Sequence, residues 1–442
     1  MPRRTASSYE LGVVAAVLAV IALALALEVA GSDDGHGAGK GRLVRPRPAA
    51  AALTSADVAR VARRVQRLRD LRFEHPVRPL FISRERAAHM LGAATRRDYP
   101  PARRRADEES LKLIGLLAPG DSLAAALTTL DEEEVLGFYD DKLRRLVVIR
   151  ERGGSRQLAE ITLAHELVHA LEDQRFGLRS KGAPNEDAAL AESALAEGTA
   201  TAVMFDYARR YFGAGDLLEL LDSTLGRQAD LPPYFEKVLL FPYLRGESFV
   251  RTLRGGAAGW KVVDNVLRLR HPRTTEQVIH PRKYAIEEGP MPVAMPALGG
   301  PLGDGWKRVA RSSVSELDLQ AWFELVGGAP DLRAAAGWGG GRFELWRRGG
   351  VGGCRAPCVT REIGAMRLAW DTSRDRGEGE RALARAFLEG LKARKIADAA
   401  GATIWASRGG AIGLRGRGRE TSIAFAPTPA IAAGVLDRLT LR

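Results

Sequence analysis

The chain has 442 residues, 66 Lys and Arg against 54 Asp and Glu for a formal charge of +12, and 45% hydrophobic residues. That apolar content excludes a disordered chain, and the length leaves room for about two or three domains with at least one sizeable core. A fibrous or multi-pass membrane protein is also excluded. The basic charge fits work near an anionic membrane or envelope surface at least as well as nucleic-acid binding, since no basic stripe with interleaved aromatics occurs.

Arg3 and Arg4 precede an uncharged, mostly apolar run over residues 11–27, closed by Glu28. Such a run reads as an export signal of nearly bilayer-spanning length. Ala24 and Ala26 would suit a cleavage site but lie inside the run, which favours an uncleaved anchor. Residues 1–30 are therefore expected to form an N-terminal transmembrane helix, with Arg3 and Arg4 cytoplasmic and the bulk of the chain extracytoplasmic. Localisation would be the cell membrane, or secretion if the segment is cleaved. Residues 31–56, rich in Gly, Ala, Pro and Arg, read as a flexible linker.

From Asp57 onwards Val58, Val61, Val65 and Leu68 recur at helical spacing, and VRPLFI (residues 77–82) reads as a strand. GFYDDKLRRLVVI (137–149) predicts two short strands joined by a turn at Asp140, Asp141 and Lys142. A long helix is expected over 157–176, then a polar loop with Gly182, Pro184 and Asn185, then a second long helix over 187–212. After residue 301 the texture changes. Residues 342–348, 366–371, 402–406 and 411–425 read as strands, and 378–396 and 428–440 have helical spacing. A helix over 317–326 suits either side of the boundary. The fold class expected is α+β: a mainly helical domain over 57–300 and a smaller α+β module over 301–442. Cys354 and Cys358, with three residues between them, could close a small local disulfide in an oxidising compartment. Two sulfurs alone do not make a structural zinc site.

The chemistry concentrates in the first long helix, at His165-Glu166-Leu167-Val168-His169, an HExxH sequence. At 100° per residue, positions i and i+4 lie about 40° apart, so both imidazoles leave one face and can grip one ion. Glu166 lies about 100° round, where it can serve a metal-bound water as general base without binding the metal. With seven histidines in the chain, the motif should arise by chance in about one chain in a hundred, so its context matters. Ala164, Leu167, Val168 and Leu171 carry two histidines and a glutamate into a core, and a metal compensates that burial.

Zinc in a hydrolytic site needs a third protein ligand and an open fourth position. Arg175 stands where a metzincin would have its third histidine. In the second long helix Glu197 shares a face with Leu190, Ala194, Thr201, Met204 and Ala208, whereas Glu192 lies about 140° away among more polar residues. Glu197, followed by Gly198, which permits a close backbone approach, is the preferred third ligand, with Glu192, Glu186 and His280 as the alternatives.

The HExxH sequence with its downstream Ala196-Glu197-Gly198-Thr199-Ala200 resembles the gluzincin zinc metallopeptidases. HELVHALEDQRF (165–176), GFYDDKLRRLVV (137–148) and PRTTEQVIHPRKY (272–284) are similar to a poorly characterised set of exported bacterial proteins with this site. The resemblance covers residues 57–300 and, more weakly, the tail. It implies a zincin-like domain with a small edge sheet, Zn2+ held by His165, His169 and Glu197, and Glu166 as catalytic base. It also implies a peptide or protein substrate in the cell envelope, with an edge strand near the active-site helix pairing with it. Residues 143–149 could be that strand or an internal one. The oxyanion donor would come from His280, Tyr284 or Tyr243, with His280 taken as the catalytic candidate. Unlike thermolysin-like members, this chain has Thr201 where an Asp would stand behind the metal, so Asp173 or Glu172 is expected to supply that carboxylate. The alternative reading is a non-catalytic envelope protein with a structural zinc site and a partner-binding C-terminal module.

Overall fold

The computed structural model describes residues 53–132, 136–150, 155–177, 182–217, 231–349, 357–399 and 401–440. The expected anchor over 1–30 and nearly all of the linker lie outside these residues. Among those described, no helix is long and apolar enough to cross a membrane.

The architecture is α+β. Helix α1 (Ser55–Arg69) starts at a capping box in which Thr54 and Asp57 satisfy each other's backbone amides, and it buries Val58, Val61 and Val65. Strand β1 (Leu80–Ile82) follows, then α2 (Arg84–Asp98), α3 (Pro101–Leu113) and α4 (Leu123–Glu132). Strands β2 (Gly137–Asp140) and β3 (Arg145–Ile149) form the expected hairpin. The sheet order is β1-β3-β2, with β1 parallel to β3 and Leu80 opposite Val147. The run 145–149 is therefore the central strand, and β1 and β2 are the two edges. Leu146, Val147, Val148 and Ile149 are all buried, as a strand flanked on both sides requires.

Helices α5 (Arg156–Phe176) and α6 (Glu186–Tyr211) are the two long helices read from the sequence, and α7 (Pro233–Arg254) packs against α6. Helix α5 is buried on nearly every side, so its polar residues are enclosed rather than carried on a solvated face. Gly198 of α6 and Gly246 of α7 bring the two backbones into direct contact. A Cβ on Gly246 would fall on the Ala194 carbonyl, and one on Gly198 on the Gly246 backbone. Gly246→Ala is therefore expected to destabilise the chain by about 1–3 kcal/mol through overpacking, read as a lower urea midpoint with an unchanged slope.

Short helices α8 (Trp260–Leu269), α9 (Thr275–Ile279), α10 (Pro281–Ala285) and α11 (Gly299–Leu302) lead to the second half. There the chain runs β4 (Trp306–Ser313), α12 (Glu316–Leu325), α13 (Leu332–Ala336), β5 (Trp338–Arg348), β6 (Glu362–Trp370) and α14 (Ser373–Arg385). A π-type turn over Ala386–Gly390 precedes β7 (Arg394–Ala399), β8 (Ala402–Ser407), β9 (Gly410–Arg417), β10 (Glu420–Ala426) and α15 (Pro429–Thr440). The seven strands form one antiparallel sheet in the order β4-β5-β6-β10-β9-β8-β7. Strand alternation splits its side chains. Met366, Leu368, Ile412, Leu414, Ile423 and Phe425 meet Trp322 and Phe387 on one face. Ala365, Ala402, Ala411, Ala424 and Ala426 lie under α15 on the other.

The sequence boundary at 301 is not a packing boundary, because Ile114 and Leu116 belong to the core of the second half. The expected helix over 378–396 stops at Gly390, where a Cβ would collide with the Val326 carbonyl, and residues 394–399 become a strand. Cys358 is held in a disulfide. Cys354, the chain's other cysteine, lies outside the described residues.

Candidate metal centre

The spacing of HExxH on α5 brings both imidazoles to one side, and α6 supplies the third group. His165 Nε2 lies 3.0 Å from His169 Nε2 and 3.0 Å from Glu197 Oε2, and His169 Nε2 lies 3.3 Å from Glu197 Oε1. All three residues are buried, and together they form a group able to hold one metal ion. Burial raises the Glu197 carboxyl, but the His169 and His165 imidazoles outweigh it and hold the group well below its ordinary range. His165 Nδ1 is buried and has no hydrogen-bond partner among the described residues.

Glu166 stands beside the triad without joining it. Its Oε2 accepts the Tyr139 backbone N–H at 2.8 Å, so the outer edge of β2 fixes the carboxylate. Burial pushes its pKa up against the pull of His165 and His169. The Tyr139 phenol, held protonated by burial and by Asp173, donates to Asp173 Oδ2 at 2.7 Å, and Arg144 Nε lies 3.2 Å from the same oxygen. Nothing local in the sequence marks Tyr139 beyond its place in the hairpin ahead of the motif.

Both carboxylates expected to stand behind a metal-bound histidine also hold groups of their own. Asp173 binds Tyr139 and Arg144, and Glu172 Oε1 accepts from Arg69 Nε at 2.7 Å. Of the oxyanion candidates, Tyr243 is the one stacked on the motif, its ring 6.0 Å from that of His165. Tyr284 donates to the Arg270 carbonyl. His280 Nε2 lies 2.9 Å from Glu316 Oε1, on α12 in the second half of the chain. The short helices α9 and α10 on either side of it join the two halves instead. Lys283 Nζ reaches Glu276 at 2.6 Å, Glu288 at 2.8 Å and, in the second half, Asp371 at 2.6 Å. Those three carboxylates also form a metal-sized group, but the ammonium occupies it.

A cleft of about 440 Å³ opens onto His169, Glu197 and Tyr139 and extends between α6, α7 and the second half of the chain. Glu192, an alternative ligand in the sequence reading, lines this cleft with its Oε1 4.0 Å from His271 Nδ1, and Glu186 is paired with Arg103 at 2.6 Å.

Asp187, also on the wall, accepts the Thr275 N–H at 2.8 Å, and its own N–H donates to Ser313 Oγ. Burial pushes its carboxyl up to about 7. A carboxyl raised in the fold favours the protonated folded state, so its contribution declines as pH rises from about 4 to about 7. Asp187→Asn keeps an acceptor for Thr275 and removes that decline. The measurement is the urea midpoint of parent and variant at pH 5 and pH 8. The variant is expected to lose less stability between the two.

Residues 305–436, essentially the seven-stranded half, are matched by a family model described as a domain of unknown function (DUF8575). No curated protein and no solved structure matches the chain.

Proposed function

We propose that the chain is an exported, membrane-anchored zinc metallopeptidase of the gluzincin kind, with His165, His169 and Glu197 as metal ligands and Glu166 as general base. The observation that carries this reading is the convergence of two imidazole Nε2 atoms and one buried carboxylate, 3.0–3.3 Å apart, beside Glu166. Zinc bonds of about 2.0–2.1 Å at tetrahedral angles set donor atoms about 3.3 Å apart, so both the donor types and their spacing fit that ion. When bound, zinc polarises a carbonyl and acidifies a water.

The protein groups supply the rest. One oxygen of Glu166 is fixed by the Tyr139 N–H, leaving the other to take the proton of an attacking water and return it to the leaving amine. Tyr243, stacked on His165, is the candidate donor to the oxyanion. Apart from the Tyr139 N–H, which Glu166 takes, the outer edge of β2 offers its backbone to an extended peptide. Access favours catalysis over a structural site, because the cleft opens onto two of the three ligands.

The test is proteolysis of a casein-type substrate by the full chain, before and after chelation and after zinc is restored. Cleavage should disappear with the metal and return with it. A zinc-loaded chain that cuts no peptide would contradict the reading.

A further inference from the structure

The metal centre occupies one part of the cleft and leaves the remainder without a role. Two features of that remainder are chemically specific. The first is charge: besides Glu197, seven carboxyl groups line the cleft with Arg103 as the one Lys or Arg among the lining residues, in a chain whose net charge is +12, and of the seven Asp98 is paired with Arg97 and Lys142. Arg103 is itself taken up by Glu186 and Asp107. Asp141, two residues beyond the Tyr139 that fixes Glu166, has a buried Oδ1 with no hydrogen-bond partner among the described residues. A negative wall in a positive protein attracts and retains cations.

The second feature lies where the cleft meets the core of the second half, at Val314, Trp322, Phe343 and Met366 with Leu111 and Ile114 packed in the same cluster. Trp322 is 1% exposed, and its indole N–H has no partner among the described residues. Buried donors without acceptors are uncommon, and this one belongs to a residue of the cleft lining.

Resting on the metallopeptidase reading, we propose that this cleft selects peptides carrying a basic side chain and a bulky apolar side chain. The basic group lies against Asp141 and Glu192, and the apolar one lodges against Trp322, Phe343 and Met366. The seven-stranded half is then the specificity wall of the site rather than a separate module.

The experiment uses the full chain carrying Glu166→Gln, so that bound peptide survives, and follows the fluorescence anisotropy of labelled decapeptides. One contains Lys and Phe, a second has Glu in place of Lys, and a third has Ala in place of Phe. The Lys/Phe peptide should bind at least about ten-fold more tightly than either of the others. Its advantage over the Glu peptide should shrink at high salt and when Asp141→Asn and Glu192→Gln are added. Trp322→Phe, which keeps the ring and removes the N–H, should weaken the Lys/Phe peptide while leaving the charge preference intact. Thermal melting of each variant confirms folding before binding is compared. Equal binding of the three peptides, or preference for the Glu peptide, overturns the proposal. The two readings fail separately. Selective binding by the Glu166→Gln chain together with no cleavage by the zinc-loaded parent refutes the peptidase and keeps the selectivity, whereas cleavage by the parent that is indifferent to charge and side chain does the reverse.

Discussion

Glu166→Gln is expected to lower peptide cleavage by about 10²–10⁴-fold, the usual contribution of a positioned general base, while leaving metal content unchanged. The amide retains an oxygen to accept the Tyr139 N–H, so the side chain should stay in place. It cannot carry a proton from water to the leaving amine. Melting temperature should be unchanged or slightly higher, because a buried carboxyl has been neutralised. Three measurements on one preparation, cleavage rate, bound zinc and melting, separate a chemical loss from a structural one. Activity within a few-fold of the parent would remove Glu166 from the reaction.

Arg69→Met should produce the largest loss of stability. Arg69 is completely buried, its Nε 2.7 Å from Glu172 Oε1 and another guanidinium nitrogen 2.6 Å from Asp264 Oδ1, with Trp260 stacked 4.3 Å away. Removing one partner of such a pair costs about 3–5 kcal/mol, because the remaining charge stays buried. Burial already pushes the Glu172 carboxyl up, and Arg69 is the strongest opposing influence. Without Arg69 that carboxyl rises further. A raised carboxyl is protonated in the fold and ionised in the unfolded chain, so the loss should be greatest above the ordinary carboxylate range and smaller at low pH. Urea unfolding at pH 5 and pH 8 reads both the size and the sign. Adding Glu172→Leu should recover much of the loss, since two apolar groups can replace a buried pair. A change of less than about 1 kcal/mol in Arg69→Met would show that the pair does not hold α1 to α5.

The candidate site was legible where the chemistry is local. Helical periodicity alone brings His165 and His169 together, and the face argument that preferred Glu197 to Glu192 agrees with where each side chain lies. The close approach expected at Gly198 is met by Gly246, a partner that no local pattern could name. What was not legible depends on pairings distant in sequence. The edge of the small sheet is decided by β1 joining β3, so 145–149 becomes central and Tyr139 on β2 becomes the contact for Glu166. His280 looked suited to an active-site wall because of its loop, but its partner Glu316 lies 36 residues on. Strand β4 escaped notice because WKRVARSS has the charged character of an edge strand and no clean alternation. The second-half residues that line the cleft read simply as core.

The most direct test of the central claim is metal analysis of the purified full chain, for the parent and for Glu166→Gln, His169→Ala and Glu197→Ala. One zinc per chain is expected in the parent and in Glu166→Gln, with loss or marked weakening in His169→Ala and Glu197→Ala. A parent that binds no metal, or ligand variants that hold zinc as well as the parent does, would contradict the assignment.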